Sequence, residues 1–394
     1  MKRQRWTALA LALGATAALA STAGASPTRA GGATAVSCKG TLKIAMVTPL
    51  TGGAGFIGNE QLSWAKYGVK TLAAKYGLKI KLLAGDTPVE QGPAPAQALA
   101  QKYVGDKSVV AVLGPATSGA VAATSQTYFD AGLAHISPSA TRTSLTKGSP
   151  KEATAAFFRV VPGDYIQGPS DANYMITKLN AKKVVIIDFQ EPYSTGLADA
   201  AQAVLKAKGV TTIRESTSVK TTDFSSLVTK VPSDANVVFF PSQQPEDAQT
   251  FGQQLLEQGK KAKVFGGDGT NSPDKFKLTG SYVSNFAPDI SGYAYNKALI
   301  AGWKKDNPGA TLGSFGPPAY LAVEVALNAI KRACDLGNGE IKDRRDVVRN
   351  VKRIVVKNSI LGGDFRFSTK SNDPLNAKFY IFQIQSNGTY KLVG

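Results

Sequence analysis

The sequence predicts an α/β fold made of two successive doubly wound units. Short runs rich in Val, Ile and Leu, such as LKIAMVT at 42–48 and VVAVL at 109–113, alternate with amphipathic stretches of helical period. That alternation builds a parallel sheet covered by helices on both faces. The rhythm breaks at FFRVVPG, residues 157–163, and then restarts. With 394 residues, 43% of them apolar, the chain can bury two cores.

The first unit opens with the strand 42–48, a glycine-rich loop over 49–58 and a helix over 59–76. A strand at 79–85 runs into Asp86, and a Pro- and Gly-rich turn leads to a helix over 96–104. The strand 109–113 is followed by GPATSGAVAATSQTYFDAGLAHISPSAT, residues 114–141. This stretch reads as strand end, helix, short strand at 134–137 and polar loop. The second unit carries strands at 183–188, 211–216, 236–240 and 262–265, with helices over 165–179, 196–208, 223–230 and 245–258. After 282–286 come helical stretches at 295–305, 318–334 and 342–351. The last thirty residues turn to β, and Asn387-Gly388 between alternating runs marks a hairpin.

Residues 1–25 read as a secretory signal peptide, and 26–41 as a linker. Lys2, Arg3 and Arg5 precede an apolar run, Trp6 to Ala20, that is short for a membrane-spanning helix, and small-x-small cleavage sites follow. The chain is therefore expected to be exported, to the periplasm or to the cell envelope or extracellular space. An exported chain is oxidised, so Cys38 and Cys334 point to one disulfide. Lipidation of Cys38 is the alternative, although Ala35-Val36-Ser37 is a poor lipobox. The formal charge is +18, and +15 without the three leader cations. These charges are scattered and carry no interleaved aromatics, which argues against nucleic acid and for a solvated basic face.

The candidate site starts from the stretch 114–141. Two hydroxyl-rich turns, at Thr117-Ser118 and at Ser137-Ser139-Thr141, bracket one helix and should emerge at the same sheet edge. Hydroxyls and the free amides of a helix N-terminus suit a carboxylate, and no strong base or nucleophile accompanies them. Ser118 can equally serve as the helix N-cap. In the second unit, Tyr193 and Asp268 sit at strand ends. Asp268 could meet an ammonium and Tyr193 could offer its ring face and hydroxyl.

Other motifs read as bland. Gly53-Ala54-Gly55-Phe56-Ile57-Gly58 fits G-x-G-x-x-G, but Pro49 to Gly52 separate it from the strand end where a dinucleotide fold needs its first glycine. A loop lining a cleft is the better reading, and no cofactor is expected. His135 is the only histidine and lies in an apolar strand, which suits a core residue and leaves no metal site.

From about Leu42 to Val393 the chain resembles the substrate-binding proteins of branched-chain amino acid ABC transporters, the leucine/isoleucine/valine-binding type. IAMVTPLTGGAGFIG, GPATSG, ISPSAT, DFQEPYSTGL at 188–197, DFSSLV at 223–228 and FGGDGT carry the resemblance. It implies a periplasmic-binding-protein type I fold, two doubly wound α/β lobes joined by three crossovers with a ligand cleft between them. The lobes would be 42–160 plus 288–363 and 161–287 plus 364–394, with crossovers near Val160–Pro162, Ala287–Pro288 and Gly362–Phe365. Ser118 would bind the ligand α-carboxylate, helped by Ser139, Ala140 and Thr141. Tyr193 would close from the second lobe, and Asp268 would take the α-ammonium. Phe56 or Ile57 and Gln243 would meet the ligand side chain.

The resemblance implies a monomeric, non-enzymatic protein that captures a branched-chain or other aliphatic amino acid by clamshell closure and delivers it to membrane permease subunits. The same fold could instead take an amide, urea or an aromatic acid, or serve as a ligand sensor. A nucleotide-dependent enzyme built on the Gly53–Gly58 loop is the remaining alternative.

Overall fold

The computed structural model describes residues 35–394, so the expected signal peptide and most of the linker lie outside the described residues. The first sheet has five parallel strands. Thr41–Thr48 lies between Lys79–Asp86 and Val109–Leu113, and Ala134–Ser137 and Phe157–Arg159 complete the order. Successive side chains of a strand point to opposite faces. Accordingly Ile44 and Met46 join one core with the helices Gly55–Leu72 and Gly316–Leu336. Ala45 and Val47 join another with Ala100, Tyr103 and Tyr128. Burial on both faces is why these strands read as continuous apolar runs.

The second sheet has seven strands, in the order 390–392, 380–384, 282–285, 263–266, 237–240, 183–188, 211–216. Val184 and Ile186 pack on the helices Asp164–Thr177 and Pro192–Ala207. Val185 and Ile187 face Phe224 and Phe251 on the other side. The last two strands add antiparallel, turning at Asn387-Gly388 with Gly388 at φ 79°. Glycine meets that left-handed backbone without steric cost.

Three details differ from expectation. The helix expected from Asn59 starts at Gly55, so Gly55 to Gly58 form its first turn. A Cβ on Gly58 would lie 1.8 Å from Pro49 O, so this glycine serves a close approach of helix and strand end. The helix expected from Gly196 starts at Pro192, capped by Glu191, whose carboxylate accepts the amides of Tyr193 and Ser194. The third passage between the lobes falls later than Gly362–Phe365. Phe365–Arg366 still pairs with Val355–Val356, and Phe365 and Phe367 sit in the first-lobe core. Residues 364–367 therefore belong with the first lobe, and the chain joins the second sheet at Tyr380. The alternating DFRF run fits a strand of either lobe, and the burial of its two phenylalanines decides between them.

Cys38 and Cys334 form a disulfide that ties the start of the described chain to the end of the helix Gly316–Leu336. Beside it Val36–Ser37 pairs with Glu340–Ile341. His135 is a core residue, as expected. It lies between the rings of Tyr128 and Phe157, bonded to Ser125 Oγ at 2.9 Å, and burial holds its pKa down at about 3.

Candidate functional site

The first-lobe half of the site is set by three strand ends. Ser137 closes its strand and donates its hydroxyl to Pro115 O at 2.7 Å. The same oxygen accepts the amides of Ser139 and Ala140. Ser139 Oγ donates to Ala116 O and accepts from Gln61 Nε2, which is held through Gln61 Oε1 by Thr48. Two of the expected carboxylate donors, the Ser139 hydroxyl and the Ala140 amide, are thus occupied in holding the loop together.

Ser118 and Thr141 remain open. Thr117 is the N-cap of the helix Ser118–Asp130 and makes no side-chain capping bond, so Ser118 is its first helical residue and not its cap. The first amides of the helix are left to a ligand or solvent, and the helix dipole favours an anion there. Ser118 Oγ accepts the Arg142 amide at 3.2 Å, which leaves its own proton to donate. Thr141 Oγ1 is buried and without a partner.

The second-lobe half is acidic. Tyr193 OH donates to Asp268 Oδ1 at 2.8 Å and accepts from Gly269 N at 3.1 Å. A Cβ on Gly267 would lie 2.5 Å from that hydroxyl, so glycine is what lets it approach. Burial pushes the Asp268 carboxyl up to about 6, partly offset by donors from Gln167 and Tyr193. Gln243 packs against Gly269, and its Oε1 is buried without a partner.

Asp164 joins this group, although nothing in the sequence marks it as a site residue. It opens the helix Asp164–Thr177, and neither of its buried carboxylate oxygens has a partner. Its carboxyl is pushed up to about 7 by burial, then by the nearby Asp268 charge, against Arg159 and Arg142. The Thr141 hydroxyl stands beside it without reaching hydrogen-bond geometry. An acid following Pro162-Gly163 is the only signal, and it reads as ordinary helix-start chemistry.

The two halves meet. Arg142 of the first lobe donates to Pro192 O and, at 3.0 Å, to Thr195 Oγ1 of the second. Gly119 faces Pro192, and Gly53 faces the Gln244 amide so closely that a Cβ would lie 2.0 Å from Oε1. Ser118, Ser139, Ala140, Thr141, Tyr193, Gln243 and Asp268 are all buried at this junction. Phe56 and Ile57 stand apart. Ile57 is buried in an apolar cluster with Val161, Phe286 and Phe315 at the crossovers. Phe56 packs edge-on against Phe315 at 5.7 Å and, with Lys275 Nζ over its ring, lines an open pocket of about 590 Å³ beside the cleft.

The glycine-rich loop is held by acids. Asp86 accepts the amides of Leu50 and Thr51 and the Thr51 hydroxyl, and Glu90 accepts the Gly53 amide at 2.7 Å. A phosphate would compete with carboxylates for these donors and be repelled by them. Among the described residues no group of three or more His, Cys, Asp or Glu is placed to hold a metal ion.

The sequence profile described as "Periplasmic binding protein" matches residues 41–389. The chain belongs to this family. Its members are substrate-binding proteins rather than enzymes. A Leu/Ile/Val-binding protein of Rhizobium johnstonii is 28% identical over 79% of this chain and 86% of its own length. An amino acid binding protein of Pseudomonas aeruginosa is 32% identical over 72% of this chain and 75% of its own. The branched-chain amino acid transporter substrate binding protein LivJ of Streptococcus pneumoniae, solved in complex with isoleucine, superposes with a TM-score of 0.77 at 26% identity. That match covers 90% of this chain and 99% of the other. The two-lobed type I fold of the family is the fold described above.

Proposed function

We propose that this protein captures an α-amino acid outside the cytoplasm by closing its two lobes over it and hands it to the permease of an ABC importer. The observation that carries the reading is the polarity of the closed junction. An uncapped helix N-terminus with Ser118 and Thr141 faces a Tyr193-supported Asp268 and the unpartnered Asp164. Buried charges are tolerable only when paired, and a zwitterion pairs both ends at once. The carboxylate takes the helix amides and the Ser118 hydroxyl, and the ammonium takes Asp268 and Asp164. An aromatic acid offers no cation to these two acids, and urea offers no anion to the helix.

Export is supported by the Cys38–Cys334 disulfide, which persists in oxidising compartments. The similarity to a branched-chain amino acid transporter substrate binding protein supports the importer role. The test is a thermal-shift screen of the ligand-stripped protein against amino acids, urea, short amides and aromatic acids. At a hundredfold its Kd a ligand adds about 2.7 kcal/mol of stability. At least one α-amino acid should raise the melting temperature. Stabilisation by aromatic acids or urea alone would overturn the reading.

A further inference from the structure

The closed junction holds more hydrogen-bond acceptors than one ammonium can answer. Asp164 Oδ1 and Oδ2, Gln167 Oε1 and Gln243 Oε1 are buried and lack a partner among the described residues, and the Thr141 hydroxyl, which can donate as well as accept, is also unpartnered. Asp268 adds a further carboxylate, whose Oδ1 takes the Tyr193 hydroxyl and which Gln167 also supports. An ammonium carries three N–H donors. Three donors can answer the free carboxylate oxygens of Asp164 and Asp268, which leaves the amide oxygens of Gln167 and Gln243 without one once the ammonium is in place.

Neighbouring protein groups do not make up the shortage. Arg159, the nearest fully buried cation, is paired with Asp373 at 2.6 Å. Arg142 is engaged with Glu152, Pro192 O and Thr195. Gln167 Nε2 donates to Ser284, which passes its own proton to Asp171, so its Oε1 remains the free end. The apolar groups that would receive an aliphatic side chain are engaged elsewhere. Ile57 is packed in the crossover cluster, and Phe56 is packed on Phe315.

We propose that the bound amino acid has a side chain with N–H donors, an amide or a cationic nitrogen, and that Gln243 selects it over aliphatic side chains. The proposal rests on the amino-acid reading above and narrows it. A site built of buried polar acceptors rejects a ligand that leaves them unpaired far more strongly than an apolar pocket rejects a wrong shape.

The test is calorimetric titration of the full chain, stripped of bound ligand by unfolding and refolding, with Leu, Ile, Val, Gln, Asn, Arg and Lys. At least one of the last four should bind at least about tenfold tighter than any of the first three. In Gln243→Leu, shown folded by circular dichroism, that gap should shrink by at least about threefold. Equal or tighter binding of Leu, Ile or Val by the parent overturns the inference and leaves the amino-acid reading standing. An unaltered gap in the folded variant overturns the role of Gln243. Binding of none of the seven overturns the inference, and the wider thermal-shift screen then decides the amino-acid reading. The parent panel decides the side-chain class even where Gln243→Leu does not fold.

Discussion

Arg159 and Asp373 form an ion pair of 2.6 Å in which neither side chain is exposed to solvent. Arg159 ends the last strand of the first sheet, before the first crossover, and Asp373 lies on the approach to the third. The same guanidinium donates to the carbonyls of Ala140, Thr141 and Arg142 at 3.2, 2.7 and 3.0 Å. It therefore turns the loop that carries Thr141 so that its carbonyls face the hinge and its hydroxyl faces the cleft.

Arg159→Met should destabilise the protein by about 3–5 kcal/mol, because Asp373 would stay buried without its counter-ion. Chemical denaturation measures this. Arg159→Lys keeps the charge but loses the planar fork, so it should recover part of the stability and still weaken ligand binding. Parent-like affinity in a folded Arg159→Lys would show that the carbonyl contacts do not orient the loop.

Asp268→Ala should weaken amino-acid binding by about a hundredfold, since a hydrogen-bonded charge contributes about 1.5–3 kcal/mol and each 1.4 kcal/mol is tenfold. Tyr193→Phe removes only the hydroxyl that bridges Asp268 and Gly269 N, and should cost about 1 kcal/mol. Titration calorimetry separates the two. If Asp268→Ala binds like the parent, the ammonium is held elsewhere.

Much of this arrangement is legible in the sequence because it is local. The apolar runs at 109–113 and 183–188 announce fully buried parallel strands, and the hydroxyl-rich turns at 117–118 and 137–141 fall on strand ends of one sheet. What stays hidden depends on partners far along the chain. Ser139 is taken up by Gln61, 78 residues away, so its hydroxyl is structural. Asp164 looks like any first-turn acid until the second lobe brings Asp268 beside it. Phe56 reads as part of a loop that promises a cleft wall, yet it lies in the first turn of the helix Gly55–Leu72 and its ring turns to Phe315.

The disulfide lies away from the site, so its removal should separate stability from binding. Cys38 and Cys334 are 296 residues apart, and a cross-link over a long loop restricts the unfolded chain. The double variant Cys38→Ser/Cys334→Ser should lose about 2–4 kcal/mol of stability. Its ligand Kd should match that of the parent. A changed Kd would mean that the end of the helix Gly316–Leu336 communicates with the cleft.

The site acids set a pH dependence of definite sign. Asp268 and Asp164 are held at about 6 and about 7 in the folded protein, above the ordinary value of 3.8. Glu191 and Asp247 are also raised to about 7 by burial. An acid whose folded pKa is raised binds more protons folded than unfolded, so its contribution is present at low pH and lost as pH rises through the folded value. The ligand-free protein should therefore melt higher at pH 5 than at pH 8. Binding runs the other way, because an ammonium pairs with the ionised acids. Affinity should fall as pH drops below about 6, and binding near neutrality should release protons. Calorimetry in buffers of different ionisation enthalpy counts them. Proton uptake on binding would mean that the ligand meets these carboxyls in their neutral form, and the ammonium assignment would fail.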